Sequence, residues 1–149
     1  MSAPWVEITS AEIDVNALVA AVLDSGVGAV ATFLGTVRDV NDGRDVTGID
    51  YEAYQPMAER EMRAIANEMM DRWPGLRVAI VHRVGTLRVG DVSVAIACAH
   101  ARRAPSADAM REAIEQLKVR VPIWKREHYA TGEWTWVDPT RQHSVPEPA

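Results

Sequence analysis

The chain has 149 residues, of which 48% are hydrophobic and 25% charged, and its formal net charge is -5. This size and balance predict one globular domain with its own core and exclude a disordered chain. The negative charge argues against nucleic-acid binding over the whole surface, and every apolar run is too short to span a membrane. A single cysteine, Cys98, excludes an intrachain disulfide and, with no signal-peptide pattern at the start, predicts a cytoplasmic protein.

The predicted elements are a helix, two strands, a second helix, two further strands, a third helix and a last strand. In chain order they cover residues 13–22, 27–37, 46–54, 56–73, 76–84, 91–99, 107–120 and 133–137. A capping box at Thr9 and Glu12 marks the start of the first helix, and Pro56 suits the first turn of the second. Ser106 is the predicted cap of the third helix, which Pro122 ends.

The segments between these elements complete the predicted organisation. Residues 39–45 are polar and typical of a loop, and residues 85–91 are predicted to join two strands as a hairpin. Residues 138–149 are Pro-rich and predicted to be a loose tail. The fold class that follows is α+β, one domain over 1–149 with its core at about 5–137, in which helices flank a mixed sheet.

The lysines are the first candidate functional residues. The chain has 14 arginines but only two lysines, Lys118 and Lys125. A lysine amine can lose its proton when its surroundings lower its pKa, whereas arginine stays charged. Lys118 falls in the last predicted helical turn, where the helix dipole favours the ammonium form, and Lys125 follows an apolar stretch that can lower an amine pKa. The pair predicts acid–base or nucleophilic chemistry, with two surface charges as the alternative.

Positive charge is concentrated in residues 100–128, which hold seven Lys or Arg against four Asp or Glu. This excess predicts a cationic patch for an anionic ligand. Arg38 and His100 each stand at the end of a predicted strand, where Arg38 could bind a phosphate and His100 could donate to one. The alternatives are a surface ion pair for Arg38 and a structural role for His100, and His82, in mid-strand, is predicted to be structural.

A thiol site is a further hypothesis, because Cys98 and His100 share one face of a predicted strand. An inert core cysteine is the more common case, so a cysteine enzyme is only an alternative. The sequence has neither metal-ligand spacing nor a glycine-rich phosphate loop, and it therefore predicts neither a metal nor another cofactor.

The segment 117–127, Leu-Lys-Val-Arg-Val-Pro-Ile-Trp-Lys-Arg-Glu, resembles the signature Leu-Lys-x-x-x-Pro-Ile-Trp-Lys-x-Glu of the molybdopterin synthase catalytic subunit family. Further blocks occur in the order typical of the family, at 33–38, 51–54, 72–74, 81–85, 90–91 and 99–100. The similarity extends over about residues 27–137.

The resemblance implies an α/β hammerhead-type fold and a heterotetramer, in which two catalytic subunits form a central homodimer and a small ubiquitin-like subunit binds at each end. The C-terminal Gly-Gly of the small subunit, as a thiocarboxylate, delivers sulfur to cyclic pyranopterin monophosphate, and two transfers make the dithiolene of molybdopterin. It implies that Lys118 is the essential lysine, that Lys125 is its catalytic partner and that Arg38 and His100 line the substrate pocket. It implies no cofactor, because the carrier brings the sulfur.

The chain departs from the family pattern after His100. The family has Arg where Ala101 stands, and Arg102 or Arg103 is predicted to supply the guanidinium for substrate binding. Pro105 replaces a usual aromatic residue, and Arg141 has no assigned role. These departures leave one further alternative, a non-catalytic docking module for the tail of a ubiquitin-like sulfur carrier.

Overall fold

The computed structural model describes residues 3–137. The helices are α1 (Val15–Val22), α2 (Gln55–Arg72) and α3 (Arg103–Arg120). The strands are β1 (Trp5–Thr9), β2 (Ala29–Thr36), β3 (Val40–Asn41), β4 (Arg44–Ala53), β5 (Arg77–Arg83), β6 (Gly85–Arg88), β7 (Val92–His100), β8 (Ile123–Tyr129) and β9 (Trp134–Val137). Within residues 3–137, no helix combines the length and apolarity that crossing a bilayer requires.

The first sheet has the strand order β1-β5-β7-β2, in which β1 and β5 are parallel and the other pairs antiparallel. Helices α2 and α3 cover one face of this sheet, and α1 covers the other. Because both faces of β5 and β7 are covered, the central residues of these strands form continuous apolar runs. Ile80 and Ile96 are fully buried on the side that α2 and α3 cover. Leu18 of α1 is fully buried on the opposite face.

The second sheet has the order β3-β4-β8-β9, and β6 also pairs with β4. After β5 the chain leaves the first sheet, pairs with β4 as β6, and returns as β7. Gly48 of β4 allows this pairing, since a Cβ there would lie 2.9 Å from the Leu87 carbonyl oxygen. Strand β6 therefore connects the two sheets, and Leu87 is a fully buried member of a small hydrophobic cluster in the second sheet.

Much of the predicted element order is confirmed. The second helix agrees with α2, the last strand with β9, and the four central predicted strands with β2, β4, β5 and β7. Their ends differ by at most two residues. Pro122 follows the end of α3 as predicted. The mixed α+β class is confirmed, while the predicted tail at 138–149, including Arg141, lies outside the described residues.

The predicted helix starts are wrong at both α1 and α3. Asp14, not the capping box at Thr9, caps α1, and its Oδ1 accepts the Ala17 N–H at 3.0 Å. Helix α3 begins at Arg103, and the Ser106 hydroxyl donates to the Arg103 carbonyl oxygen at 2.8 Å inside its first turn. In each case a nearby Ser or Thr matched the cap pattern while tertiary packing fixed the actual start.

Strands β1, β3, β6 and β8 were not predicted. Strand β1 pairs in parallel with a strand some 70 residues later in the chain, and β8 pairs with β4 across a similar separation, so the pairing partners are not visible locally. The predicted loop 39–45 is instead a tight hairpin. Asp42 and Gly43 both have positive φ, +50° and +76°, as the two-residue turn between β3 and β4 requires. Likewise, the segment 85–91 carries β6 and does not form a simple hairpin.

Candidate active site

The two lysines come together where the end of α3 meets the second sheet. Lys118 lies in the last turn of α3 and Lys125 in β8, and Pro122 separates these elements. The proline prevents the helix from continuing, so the chain turns back and enters the second sheet as β8. Both lysines are partly buried, and Lys125 is close enough to Lys118 for its charge to affect the Lys118 amine.

The pKa of Lys118 is lowered from its ordinary value of 10.5, first by burial and then by the charge of Lys125. Burial and like charge both favour the neutral amine. A neutral amine next to a second lysine can take a proton and, once protonated, return it.

The aromatic rings of Tyr51 and His82 contact each other beside these lysines. Tyr51 lies opposite Lys125 in the β4–β8 register, and its ring contacts that of His82 edge to face, with centroids 5.3 Å apart. His82 is 4% exposed, and its Nδ1–H donates to the Arg83 carbonyl oxygen at 2.8 Å. Burial, together with the Lys118 charge, lowers the pKa of His82 to about 4, against the opposing effect of that bond. His82 is therefore neutral, in keeping with its predicted structural role.

A polar chain runs from β8 to Arg38. Glu127 shares a face of β8 with Lys125, two residues away, and is only 2% exposed. Its Oε1 accepts a hydrogen bond from Asn41 Nδ2 at 2.7 Å, and Asn41 Oδ1 accepts one from Arg38 Nη2 at 3.3 Å. Arg38 is exposed, so the chain links a surface guanidinium to the face of β8 on which Lys125 lies.

The other predicted substrate ligands lie at the opposite end of α3. Arg102 and Arg103 precede or begin this helix, and the 15 residues from Arg103 to Lys118 correspond to about 22 Å of helix. The His100 Nε2–H donates to the Pro74 carbonyl oxygen at 3.1 Å, and His100 Nδ1 accepts the Arg102 N–H, also at 3.1 Å. Within one chain these residues are not brought together with the lysines. The substrate-binding role of His100 stays a prediction, since both of its ring nitrogens are engaged in local bonds.

The segment after His100 is pinned by its backbone. Gly28 N–H donates to the His100 carbonyl oxygen at 3.0 Å, and a Cβ on Gly28 would lie 2.3 Å from the Ala101 carbonyl oxygen. Ala101 itself is exposed. Beside it, a surface cavity of about 580 Å³ is lined by Arg102, Arg103, Ala104 and Pro105. The exposed guanidinium groups of Arg102 and Arg103 border this cavity. That one of them replaces the arginine that the family has at the position of Ala101 stays a prediction.

The excess positive charge of residues 100–128 does not form one continuous patch. Arg120 is paired with Glu68 at 2.8 Å and with Glu61 at 3.3 Å. Arg126 is on the face of β8 opposite to Lys125 and pairs with Asp50 at 2.5 Å. The cationic patch predicted from this charge count is therefore wrong as a single surface, because partners distant in sequence neutralise part of it.

Cys98 has the features of a core residue. It is fully buried beneath α2 and α3, and burial raises the pKa of its thiol to about 12. A thiol nucleophile needs a lowered pKa and access to its substrate, and Cys98 has neither. Among the described residues, no group of three or more His, Cys, Asp or Glu side chains could hold a metal ion.

Three residues of the site, Tyr51, Asn41 and Glu127, were not singled out from the sequence. The Asp-Gly pair at 42–43 is a strong hairpin signal that could have placed Asn41 on a strand. The contacts of Tyr51 and Glu127 depend on the β4–β8 register, for which the sequence carries no local signal.

Comparison with known proteins gives one consistent family. A family model described as MoaE protein matches residues 8–120. The molybdopterin synthase catalytic subunit of Halalkalibacterium halodurans is 47% identical over 122 residues, which cover 82% of this chain and 78% of that protein. The crystal structure of molybdopterin synthase from Staphylococcus aureus superimposes with a TM-score of 0.85 at 36% identity, covering 89% of this chain and 96% of that one.

A more distant structure shares the fold. It is a protein–protein complex of subunits 1 and 2 of the molybdopterin-converting factor from Helicobacter pylori. The matched chain has a TM-score of 0.70 at 20% identity and covers 94% of this chain and 92% of its own length.

Proposed function

Because the chain belongs to the MoaE family of molybdopterin synthase catalytic subunits, we propose that it transfers sulfur to a pterin phosphate during synthesis of the molybdenum cofactor. The donor is the C-terminal thiocarboxylate of a small ubiquitin-like subunit, and the acceptor is cyclic pyranopterin monophosphate. The observation that carries this proposal is the meeting of Lys118 and Lys125, in which the pKa of Lys118 is lowered by burial and by the second lysine.

The lysines fit the proton balance of the reaction. In each transfer the carrier exchanges its sulfur for oxygen and becomes a carboxylate, while the pterin exchanges an oxygen for that sulfur. The thiocarboxylate sulfur attacks as an anion, and the pterin oxygen that it displaces needs a proton to leave as water. A water molecule then cleaves the acyl–sulfur bond, giving the carrier carboxylate and the pterin thiol, and this water must lose a proton. An acid and a base must therefore act in turn. Lys118, with its lowered pKa, serves as the base in its neutral form and as the acid once protonated. Lys125 keeps that pKa low and is the catalytic partner that exchanges protons with the reacting groups.

The phosphate of the substrate is held by guanidinium groups. Arg38 lies on the same side of the site as Lys125, through the chain of Asn41 and Glu127, and is proposed as the phosphate anchor. Arg102 and Arg103 are too far along α3 to reach the same small molecule within one chain. In the homodimer that the family resemblance implies, Arg102 and Arg103 of the second copy would contact the substrate. His100 would orient Arg102, because His100 Nδ1 accepts the backbone N–H of Arg102.

The proposed partner is a small ubiquitin-like subunit, as the family resemblance implies. The matched Helicobacter pylori chain was solved in a complex of two subunits of its factor. A small subunit with a C-terminal Gly-Gly would place its terminal thiocarboxylate near the two lysines, where positive charge can bind it. The cytoplasmic location remains a prediction from the single cysteine.

The test is reconstitution of the reaction from purified components. The protein is incubated with a thiocarboxylated small subunit and cyclic pyranopterin monophosphate, and the pterin is followed by mass spectrometry. Gain of two sulfur atoms would support the proposal, with the small subunit in its carboxylate form as the negative control. Binding of the small subunit with an unchanged pterin would refute catalysis and favour the alternative of a docking module.

A further inference from the structure

We propose that Asn41 is a positioning residue for substrate binding, which holds the Arg38 guanidinium in place by linking it to the buried carboxylate of Glu127. This inference rests on the proposed function, since it concerns how the phosphate anchor of that reaction is oriented. Asn41 does not itself contact the substrate in this proposal.

The two hydrogen bonds of Asn41 define the orientation of its amide. Nδ2 donates to Glu127 Oε1 at 2.7 Å, and Oδ1 accepts from Arg38 Nη2 at 3.3 Å. Glu127 is an acceptor when ionised and Arg38 is only a donor, so turning the amide over would break both bonds. One end of this link is fixed, because Glu127 is 2% exposed and belongs to the central part of β8.

The backbone around Asn41 is also fixed. Asn41 pairs with Arg44 next to the tight turn at Asp42 and Gly43, and both turn residues have positive φ. The Val46 N–H closes the hairpin by donating to the Asp39 carbonyl oxygen at 2.8 Å. A short, rigid hairpin therefore presents the Asn41 amide to Glu127 on one side and to Arg38 on the other.

This arrangement has a consequence for binding. Arg38 is exposed, and a free arginine side chain loses much rotamer freedom when it binds a phosphate. The bond to Asn41 engages Nη2 and restricts the side chain before the substrate arrives, while the other N–H groups of the guanidinium remain to bind an anion. Glu127 shares its strand face with Lys125 at about 7 Å along the strand. The link thus joins the phosphate anchor to the strand face on which Lys125 lies.

The experiment is a double-mutant cycle with steady-state kinetics in the reconstituted reaction. The variants are Asn41→Ala, Arg38→Ala and the double variant, and the control is Asn16→Ala, which removes an exposed asparagine of α1 on the far face of the first sheet. We expect Asn41→Ala to raise the KM for cyclic pyranopterin monophosphate about three- to tenfold, with kcat changed less than about twofold. Arg38→Ala should raise KM more strongly, and the double variant should match Arg38→Ala within about twofold. Melting curves of all variants are recorded to check that each one is folded.

The outcomes separate the inference from the function on which it rests. A raised KM in Arg38→Ala with an unchanged KM in Asn41→Ala would overturn the positioning role and leave the proposed function intact. Effects of the two substitutions that multiply in the double variant would also overturn it, because Asn41 would then act independently of Arg38. An unchanged KM in Arg38→Ala would remove the phosphate anchor itself, and the positioning role with it.

Discussion

Asp50 is predicted to be a major source of stability in the second sheet. It is 8% exposed and accepts hydrogen bonds from Thr86 Oγ1 at 2.9 Å, Arg126 Nε at 3.0 Å, Arg126 Nη2 at 2.5 Å and His128 Nε2 at 2.8 Å. These donors come from the strands on both sides of β4, so one carboxylate joins β6, β4 and β8. Removing it leaves four donor atoms, on three residues, without their acceptor.

The size of the effect follows from these contacts. Loss of one partner from a buried ion pair costs about 3–5 kcal/mol. The Arg126 side chain is 32% exposed and stacks against Trp134 and Trp136, so it regains water when Asp50 is lost. We therefore expect Asp50→Ala to lower the free energy of unfolding by about 2–3 kcal/mol. Asp50→Asn, which keeps an acceptor oxygen but not the charge, should cost about half of that.

The assay is urea unfolding followed by tryptophan fluorescence and circular dichroism. Asp45→Ala is the matched control, because Asp45 is an exposed aspartate in the same strand, and it should change stability by less than about 0.5 kcal/mol. A loss below about 1 kcal/mol in Asp50→Ala would refute the reasoning, because the carboxylate would then contribute no more than a surface group.

The same residue gives a pH dependence. Burial raises the pKa of Asp50, but the bonds from Arg126, His128 and Thr86 outweigh burial and hold it below its ordinary value of 3.8. A carboxyl group whose pKa is lowered by folding stabilises the protein above its unfolded-state pKa. The stability difference between the natural protein and Asp50→Asn should be complete above about pH 5 and shrink as the pH falls below 3.8.

Three further predictions concern the two lysines and Cys98. Lys118→Ala should lower turnover by at least about 100-fold while the melting temperature stays within a few degrees. Lys125→Arg should also lower turnover, because arginine cannot release and take up a proton. Near-normal turnover in either variant would exclude proton transfer by that residue. The chain has only two lysines, so isotope-labelled lysine allows the Lys118 amine to be titrated by NMR, and its pKa should lie below the ordinary value of 10.5. Lys125→Met should raise the pKa of Lys118, because it removes a neighbouring positive charge. An unchanged pKa would show that the two lysines do not interact. Cys98→Ala should retain turnover at a stability cost of about 1 kcal/mol, and lost activity in a folded variant would revive the thiol mechanism.

Part of the site could be predicted because it depends on short stretches of chain. The scarcity of lysine singled out Lys118 and Lys125, and Pro122 showed that the two are not on one helix. The motif around them carried the family resemblance, and the comparisons agree with it. The rest of the site depends on strands β4 and β8, whose pairing spans some 75 residues, and β8 was not predicted at all.

The sequence by itself determined the α+β class, most of the helices and strands, and the identity of the two lysines. Apolar periodicity, glycine and proline act over a few residues, so these features can be read without knowing the fold. Only the tertiary structure showed that Arg102 and Arg103 lie about 22 Å along α3 from Lys118 and that partners such as Glu68 neutralise part of the positive charge of residues 100–128. Charge and hydrogen bonding act through space, and strand register, which decides which side chains share that space, is set by contacts between distant segments.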